Sequence, residues 1–176
     1  MQKLKCFRKL LYNASVMRYA FEPMTEKEAH EVASWRYDPP YDFYDVVNNP
    51  EDLDELLDPA KRKDYFSVIS NGELIGYFCF GAEAQVPGGD HSGDAIDVGL
   101  GLRPDLTGKG LGLGFLEAGL AFARRRFSLA SFRLSVAEFN ERAIKVYERA
   151  GFAKAGRFIQ QTNGARHPFI SMEREA

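Results

Sequence analysis

Two cysteines, Cys6 and Cys79, and three histidines, His30, His91 and His167, are scattered through 176 residues without metal-ligand spacing. That scarcity excludes a disulfide framework and offers no structural metal site. Charge of one sign is also lacking. The formal charge is -2 with acids and bases interspersed, which speaks against a broad nucleic-acid or membrane footprint. Basic residues cluster only at Lys61, Arg62 and Lys63 and at Arg124, Arg125 and Arg126, where the second group suits the negative end of a helix. There is no internal repeat and no low-complexity tract. Near the start, Lys3, Lys5, Arg8 and Lys9 alternate with Leu4, Phe7, Leu10 and Leu11, without an apolar core segment or a small-residue cleavage site, so no secretory signal is read. A cytoplasmic protein is expected, with residues 1–16 as a peripheral helix or an upstream start before Met17. Residues 17–176 then form one domain, a length that buries roughly 70% of its unfolded surface.

What is present in quantity is glycine, concentrated in the stretch from Asp94 to Arg126. Val98, Leu100 and Leu102 alternate with Asp97, Gly99 and Gly101, a strand with one almost bare face. Pro104 ends it. Thr107, Gly108, Lys109, Gly110, Leu111 and Gly112 then lead into a helix carrying Leu113, Leu116, Leu120 and Phe127. Free N–H groups at such a helix start favour a phosphate or diphosphate. Neither a Walker loop nor a dinucleotide fingerprint fits: Arg103 and Gly110 break the first, Leu113 and Phe115 the second. A glycine packing contact between helix and sheet remains the alternative.

The rest of the chain reads in order. Tyr19 to Glu22 is a short strand, and Thr25 with Glu28 forms a capping box for a helix to about Trp35. Around Pro39 and Pro40 gather Trp35, Tyr37, Tyr41, Phe43 and Tyr44, which serve either as a plug for the core or as a substrate-facing wall. Glu51 to Leu57 is a second helix. Tyr65–Ser70 and Glu73–Phe80 flank Asn71-Gly72, a hairpin signal, and Ala82 to Gly93 is a loop long enough to move. After the long helix, Phe132 to Val136 is a strand. Asn140 caps a helix that ends at Gly151, and Phe152–Gln161 and Arg166–Glu173 form a last pair of strands around Asn163-Gly164. An antiparallel meander joined to one strand–helix–strand crossover predicts an α+β fold, with a mixed, mostly antiparallel sheet of six to seven strands and helices on both faces.

The segments LGLRPDLTGKGLG and NERAIKVYERAGF together resemble the GNAT superfamily of acyl-coenzyme A dependent N-acetyltransferases, over about residues 18–173. The family's first motif opens on Gln or Arg, where this chain has Thr107, and continues with glycines matched by Gly110 and Gly112. The resemblance implies acetyl-CoA as co-substrate and no metal. Backbone groups of Gly108, Lys109, Gly110, Leu111 and Gly112 would hold the diphosphate, and Lys109 either adds a charge or is solvated. Leu100 and Leu102 would offer backbone groups to pantetheine, with a bulge at Gly99 and Gly101 parting the strand from its neighbour. Crowding against a neighbouring strand is the other reason for those glycines.

Tyr147 matches the tyrosine that protonates the departing thiolate, although its spacing with Ile144 also suits a core position. Asn140 matches a coenzyme contact or acts only as a cap. Asp97 is the expected base, pointing to the glycine face by parity, or else a carboxylate binding a cation or a loop amide; Asp94 and Glu83 are weaker candidates. Trp35, Tyr37, Tyr41 and Tyr44, with the Ala82–Gly93 loop and His167, would form the acceptor side. The implied function is transfer of acetyl to a primary amine, small or peptide N-terminal, by direct base-assisted attack. A protein N-terminal acetyltransferase of ribosomal type and a non-catalytic acyl-CoA sensor are the alternatives, and a homodimer is possible at the sheet edge.

Overall fold

A computed structural model describes residues 18–127 and 131–176. The expectations for residues 1–16, Cys6 and Met17 fall outside them.

Seven strands form one sheet in the order β1-β2-β3-β4-β5-β7-β6. β1 (Ala20–Pro23), β2 (Tyr65–Ser70), β3 (Glu73–Phe80) and β4 (Ala95–Leu102) pair antiparallel in sequence. The turn between β2 and β3 places Asn71 and Gly72 at φ 52° and 81°, the left-handed pair that the dipeptide predicts. β4 then runs parallel to β5 (Ser131–Ala137), joined by α3 (Gly112–Arg126). β7 (Ala165–Glu175) lies antiparallel between β5 and the edge strand β6 (Ala153–Thr162). This is the mixed α+β sheet expected from the order of elements.

Two packed layers hold the sheet. On one face α3 and α4 (Glu141–Arg149) close over Phe66, Phe78, Phe80, Val98, Phe132, Leu134 and Met172, with Phe115, Leu116 and Leu120 descending from α3. Burying large apolar side chains stabilises by roughly 1.5–3 kcal/mol each, so this layer dominates stability. Arg124 and Arg126 end α3, laid over the rings of Phe132 and Phe66. On the other face α1 (Glu26–Ala33) and α2 (Pro50–Leu57) cover Met24, Trp35, Leu56, Tyr65, Leu74 and Cys79. The capping box is formed: Glu28 N–H donates to Thr25 Oγ1 and Thr25 N–H to Glu28 Oε2.

β4 crosses between the two layers with its residues sorted by parity. Val98, Leu100 and Leu102 pack on the α3–α4 side. Gly99 and Gly101 turn the other way, where a Cβ would overlap Cys79 Sγ and the Tyr77 ring. Their register with β3 runs without a shift from Val98 to Leu102. The glycines therefore relieve crowding against β3, with no shift on that side of the strand.

Candidate active site

β4 and β5 part company. Their parallel pairing covers only Ala95–Asp97 against Ser131–Arg133, while β5 stays paired with β7 through Ala137. Beyond Asp97 the two strands diverge into a wedge. Arg103 N–H donates to Ile75 O on β3, so by strand alternation Leu100 and Leu102 turn their N–H and C=O groups into the wedge. An unpaired strand edge facing a cavity is a template for any ligand with amides of its own.

The segment between α1 and α2 braces both arms. Tyr37 Oη donates to Leu102 O at 2.9 Å, and Tyr37 N–H is fixed by the buried Asp45 carboxylate at 2.9 Å. On the other arm Tyr44 Oη accepts from Ala137 N–H and from Asn140 Nδ2, each at 3.3 Å. Asn140 turns its Oδ1 to Ala143 N–H and so caps α4 while bridging to Tyr44. Tyr37 and Tyr44 thus spend their polar atoms on the wedge itself. The aromatic cluster divides: Trp35 is packed in the second layer, 8% exposed, while Tyr37, Tyr41, Phe43 and Tyr44 line the cavity.

The cavity has a volume of about 600 Å³ and runs the length of the wedge, a size that suits a cofactor or small ligand. At one end lie Thr107, Gly108, Gly110 and Gly112, with Asn140, Arg142 and Tyr147 opposite on α4. Gly108 and Gly110 hold φ 72° and 78°, which side-chain-bearing residues adopt only at a cost, and α3 begins at Gly112 after Leu111 rather than at Thr107. The first amides of α3 are left to face a ligand. Lys109 and Leu111 do not line the cavity, and Thr107 Oγ1 donates to Pro104 O.

Tyr147 faces the cavity with its phenol raised by burial and by the neighbouring Tyr44. It is a neutral hydrogen-bond donor at every physiological pH.

Asp97 departs from the expectation. Its parity matches the glycines, but it lies 3% exposed below the parting point, outside the cavity lining. His91 Nδ1 meets it at 2.9 Å and Arg133 Nη1 at 3.5 Å. A carboxylate so held is tied into an ion pair, and Gln85, which lines the cavity, donates to its Oδ2 at 3.4 Å. Asp94 also lies away from the cavity, and His167 meets Phe43 edge-on beside it.

Carboxylates that do face the wedge come mostly from α2, where sequence reasoning had no reason to look. Asp52 and Glu55 line the far end, joined by Glu83. Burial of its carboxyl and the charge of Glu55 push Asp52 up to about 6, although the residue as a whole is exposed. Burial and Glu55 also raise Glu83. Tyr65 Oη donates to Glu55 Oε1 at 2.6 Å. Among the described residues none of the three joins an ion pair. The wedge therefore has an anion-seeking end at the glycine turn and a cation-seeking end at α2. No group of His, Cys, Asp and Glu among the described residues is arranged to hold a metal ion, and no helix among them is long and apolar enough to cross a membrane.

Comparison with known proteins gives the site its setting. A mycothiol acetyltransferase of Thermobispora bispora is 31% identical over 143 residues, 76% of this chain and 45% of that protein. The chain thus spans less than half the length of that relative. A 5-NmdU N-acetyltransferase of Pseudomonas phage PaMx11 is 27% identical over 128 residues, 61% of this chain and 84% of its own. Among solved structures, the aminoglycoside acetyltransferase AAC(6')-Ib in complex with coenzyme A and kanamycin superposes with a TM-score of 0.71 at 21% identity, covering 90% of this chain and 95% of that one. At that identity the likeness is one of fold. Residues 28–152 match the Acetyltransferase (GNAT) family, and with more than half of its length so matched the chain belongs to the GNAT family of acetyltransferases.

Proposed function

We propose that this protein transfers an acetyl group from acetyl-CoA to a primary amine that enters the wedge as a cation. The observation that carries the reading is the parted strand pair, whose Leu100–Leu102 edge, with Leu102 O alone taken by Tyr37, opens into a cavity with opposite electrostatic ends. Pantetheine, with peptide-like amides, pairs along that edge. Its diphosphate lies at the amides of Gly108 to Gly112, and its thioester reaches the fork between β4 and β5. The acetyltransferase names of both sequence relatives support the same reaction class.

The acidic end draws an ammonium group in, and the chemistry must then neutralise it. A lysine-like amine needs about 4–5 kcal/mol to lose its proton at pH 7. The ammonium first gives one proton to solvent, which frees the lone pair; as that nitrogen attacks the carbonyl carbon and the C–N bond forms, its acidity rises steeply, and Asp52 takes the second proton. With a pKa of about 6 it is ionised at neutral pH yet more basic than an ordinary carboxylate. The carbonyl oxygen gains negative charge against N–H groups of the free edge. The C–S bond then breaks with the electron pair on sulfur.

Tyr147 donates its hydrogen bond to that sulfur. Complete proton transfer from an ordinary phenol to an ordinary thiolate is uphill by about 2 kcal/mol. Burial raises the phenol of Tyr147 just as it strengthens a buried thiolate as a base, so the gap stays small, and coenzyme A leaves as the thiol while the phenol regains its proton from solvent.

Release of free thiol from acetyl-CoA, followed against a panel of diamines, amino sugars, amino acids and peptide N-termini, tests the proposal. Turnover on cationic amines with little on neutral or acidic ones is expected. Coenzyme binding without thiol release on any member would favour the non-catalytic sensor instead.

A further inference from the structure

The opening position of the diphosphate turn carries no long polar side chain. Thr107 occupies it, and the threonine hydroxyl is spent on Pro104 O. Arg142, on the other side of the wedge, is placed to make up for this. It sits at the second position of α4, and a side-chain carbon added at Gly108 would have Arg142 Nη1 only 3.9 Å away. Both residues line the cavity.

The setting of Arg142 is unusual for a surface arginine. Its guanidinium carbon stands 3.9 Å from the centroid of the Tyr41 ring, while the described residues offer it no hydrogen-bond acceptor and no carboxylate within ion-pair distance. A guanidinium lying on a ring keeps its N–H groups at the edge free, in the fork that suits phosphate oxygens. Its position is also electrostatically adverse in the free protein, because a cation in the first turn of a helix opposes the dipole. An anion between the starts of α3 and α4 removes that conflict.

We propose that Arg142, held flat by Tyr41, supplies the side-chain contact to the coenzyme's diphosphate that Thr107 cannot make. Tyr41 is then a positioning residue for coenzyme binding rather than a wall for the acceptor. The inference rests on the acyl-CoA reading above and deepens it: the contact crosses the wedge, so coenzyme binding ties α4 and the Tyr41–Tyr44 turn to the glycine turn before α3.

The test is affinity measured by calorimetry on the full chain for two ligands, acetyl-CoA and acetyl-pantetheine, the second lacking every phosphate. Arg142→Ala is expected to weaken acetyl-CoA by roughly tenfold, the size of one charge-assisted contact, and to leave acetyl-pantetheine unchanged. The loss should shrink as salt is raised. Tyr41→Ala should give a smaller loss for acetyl-CoA alone, and Tyr41→Phe, which keeps the ring face, should restore it. Unchanged acetyl-CoA affinity in Arg142→Ala, or an equal loss for both ligands, overturns the proposal while leaving the coenzyme reading standing. Failure of the unaltered protein to bind acetyl-CoA would sink both.

Discussion

Asp52 is held where its charge is unwelcome, and its proposed role as base then predicts opposing effects on stability and turnover. Its folded-state pKa of about 6 lies above the ordinary 3.8, so the folded protein binds this proton more tightly than the unfolded chain does. The associated stability is fully present below pH 3.8 and is lost as pH rises through about 6. Asp52→Asn removes the repulsion with Glu55, so it should raise the thermal midpoint at neutral pH and leave it nearly unchanged at pH 4. The same substitution should lower turnover by about a hundredfold or more, the range of a lost general base, and abolish the acidic limb of the pH–rate profile near 6. Retained turnover with that limb intact would remove Asp52 from the mechanism. Tyr147→Phe should lower turnover with coenzyme affinity near wild type, since in the proposed reaction the phenol acts on the departing sulfur and not on binding. The place of Tyr147 and Asn140 at the cavity was legible because a local motif sets them on one short helix and at its cap. Asp52 was not, because PEDLDELL reads as an ordinary solvated helix start. Only the packing of α2 against β2 and β3 through Leu56 and Tyr65 turns its acidic side toward the wedge. Asp97 shows the converse. Strand parity placed it on the correct face, but parity says nothing of where along β4 the partner strand departs, and it lies below the fork.

Each element of the fold was readable where its signal is local. The Asn71-Gly72 and Asn163-Gly164 turns, the Thr25 capping box and the Asn140 cap all appear where those residues dictate, since each satisfies backbone groups within a few residues. The parting of β4 from β5 is not local. It depends on Tyr37 and Tyr44 taking the backbone groups of Leu102 and Ala137 that a fully paired sheet would have used. The glycine turn can be tested as an element. A Cβ at Gly110 would meet nothing within 4 Å, yet its φ is 78°, so Gly110→Ala costs conformational strain alone, on the order of 1 kcal/mol. Gly110→Asp adds a carboxylate against the bound diphosphate. Coenzyme affinity should fall well below that of Gly110→Ala, and more so at low salt. Equal affinities for the two variants would place the diphosphate elsewhere.

For the whole molecule, the wedge is a defect that the fold maintains at some expense to stability. Two strands of a seven-stranded sheet are held apart over half their length, with unpaired backbone edges and uncompensated carboxylates lining the gap. A ligand that pairs with the edge and satisfies the glycine turn should therefore stabilise the folded state strongly. At a coenzyme concentration of a hundred times its dissociation constant the gain is about 2.7 kcal/mol, or roughly 5–10 °C in thermal midpoint for a chain of this size. The most direct measurement is the midpoint of thermal unfolding titrated with acetyl-CoA, using acetate and adenosine as controls. A saturable rise of that order with acetyl-CoA, absent with the controls, is expected. A midpoint that does not move at millimolar acetyl-CoA would contradict the assignment of the wedge as a coenzyme site.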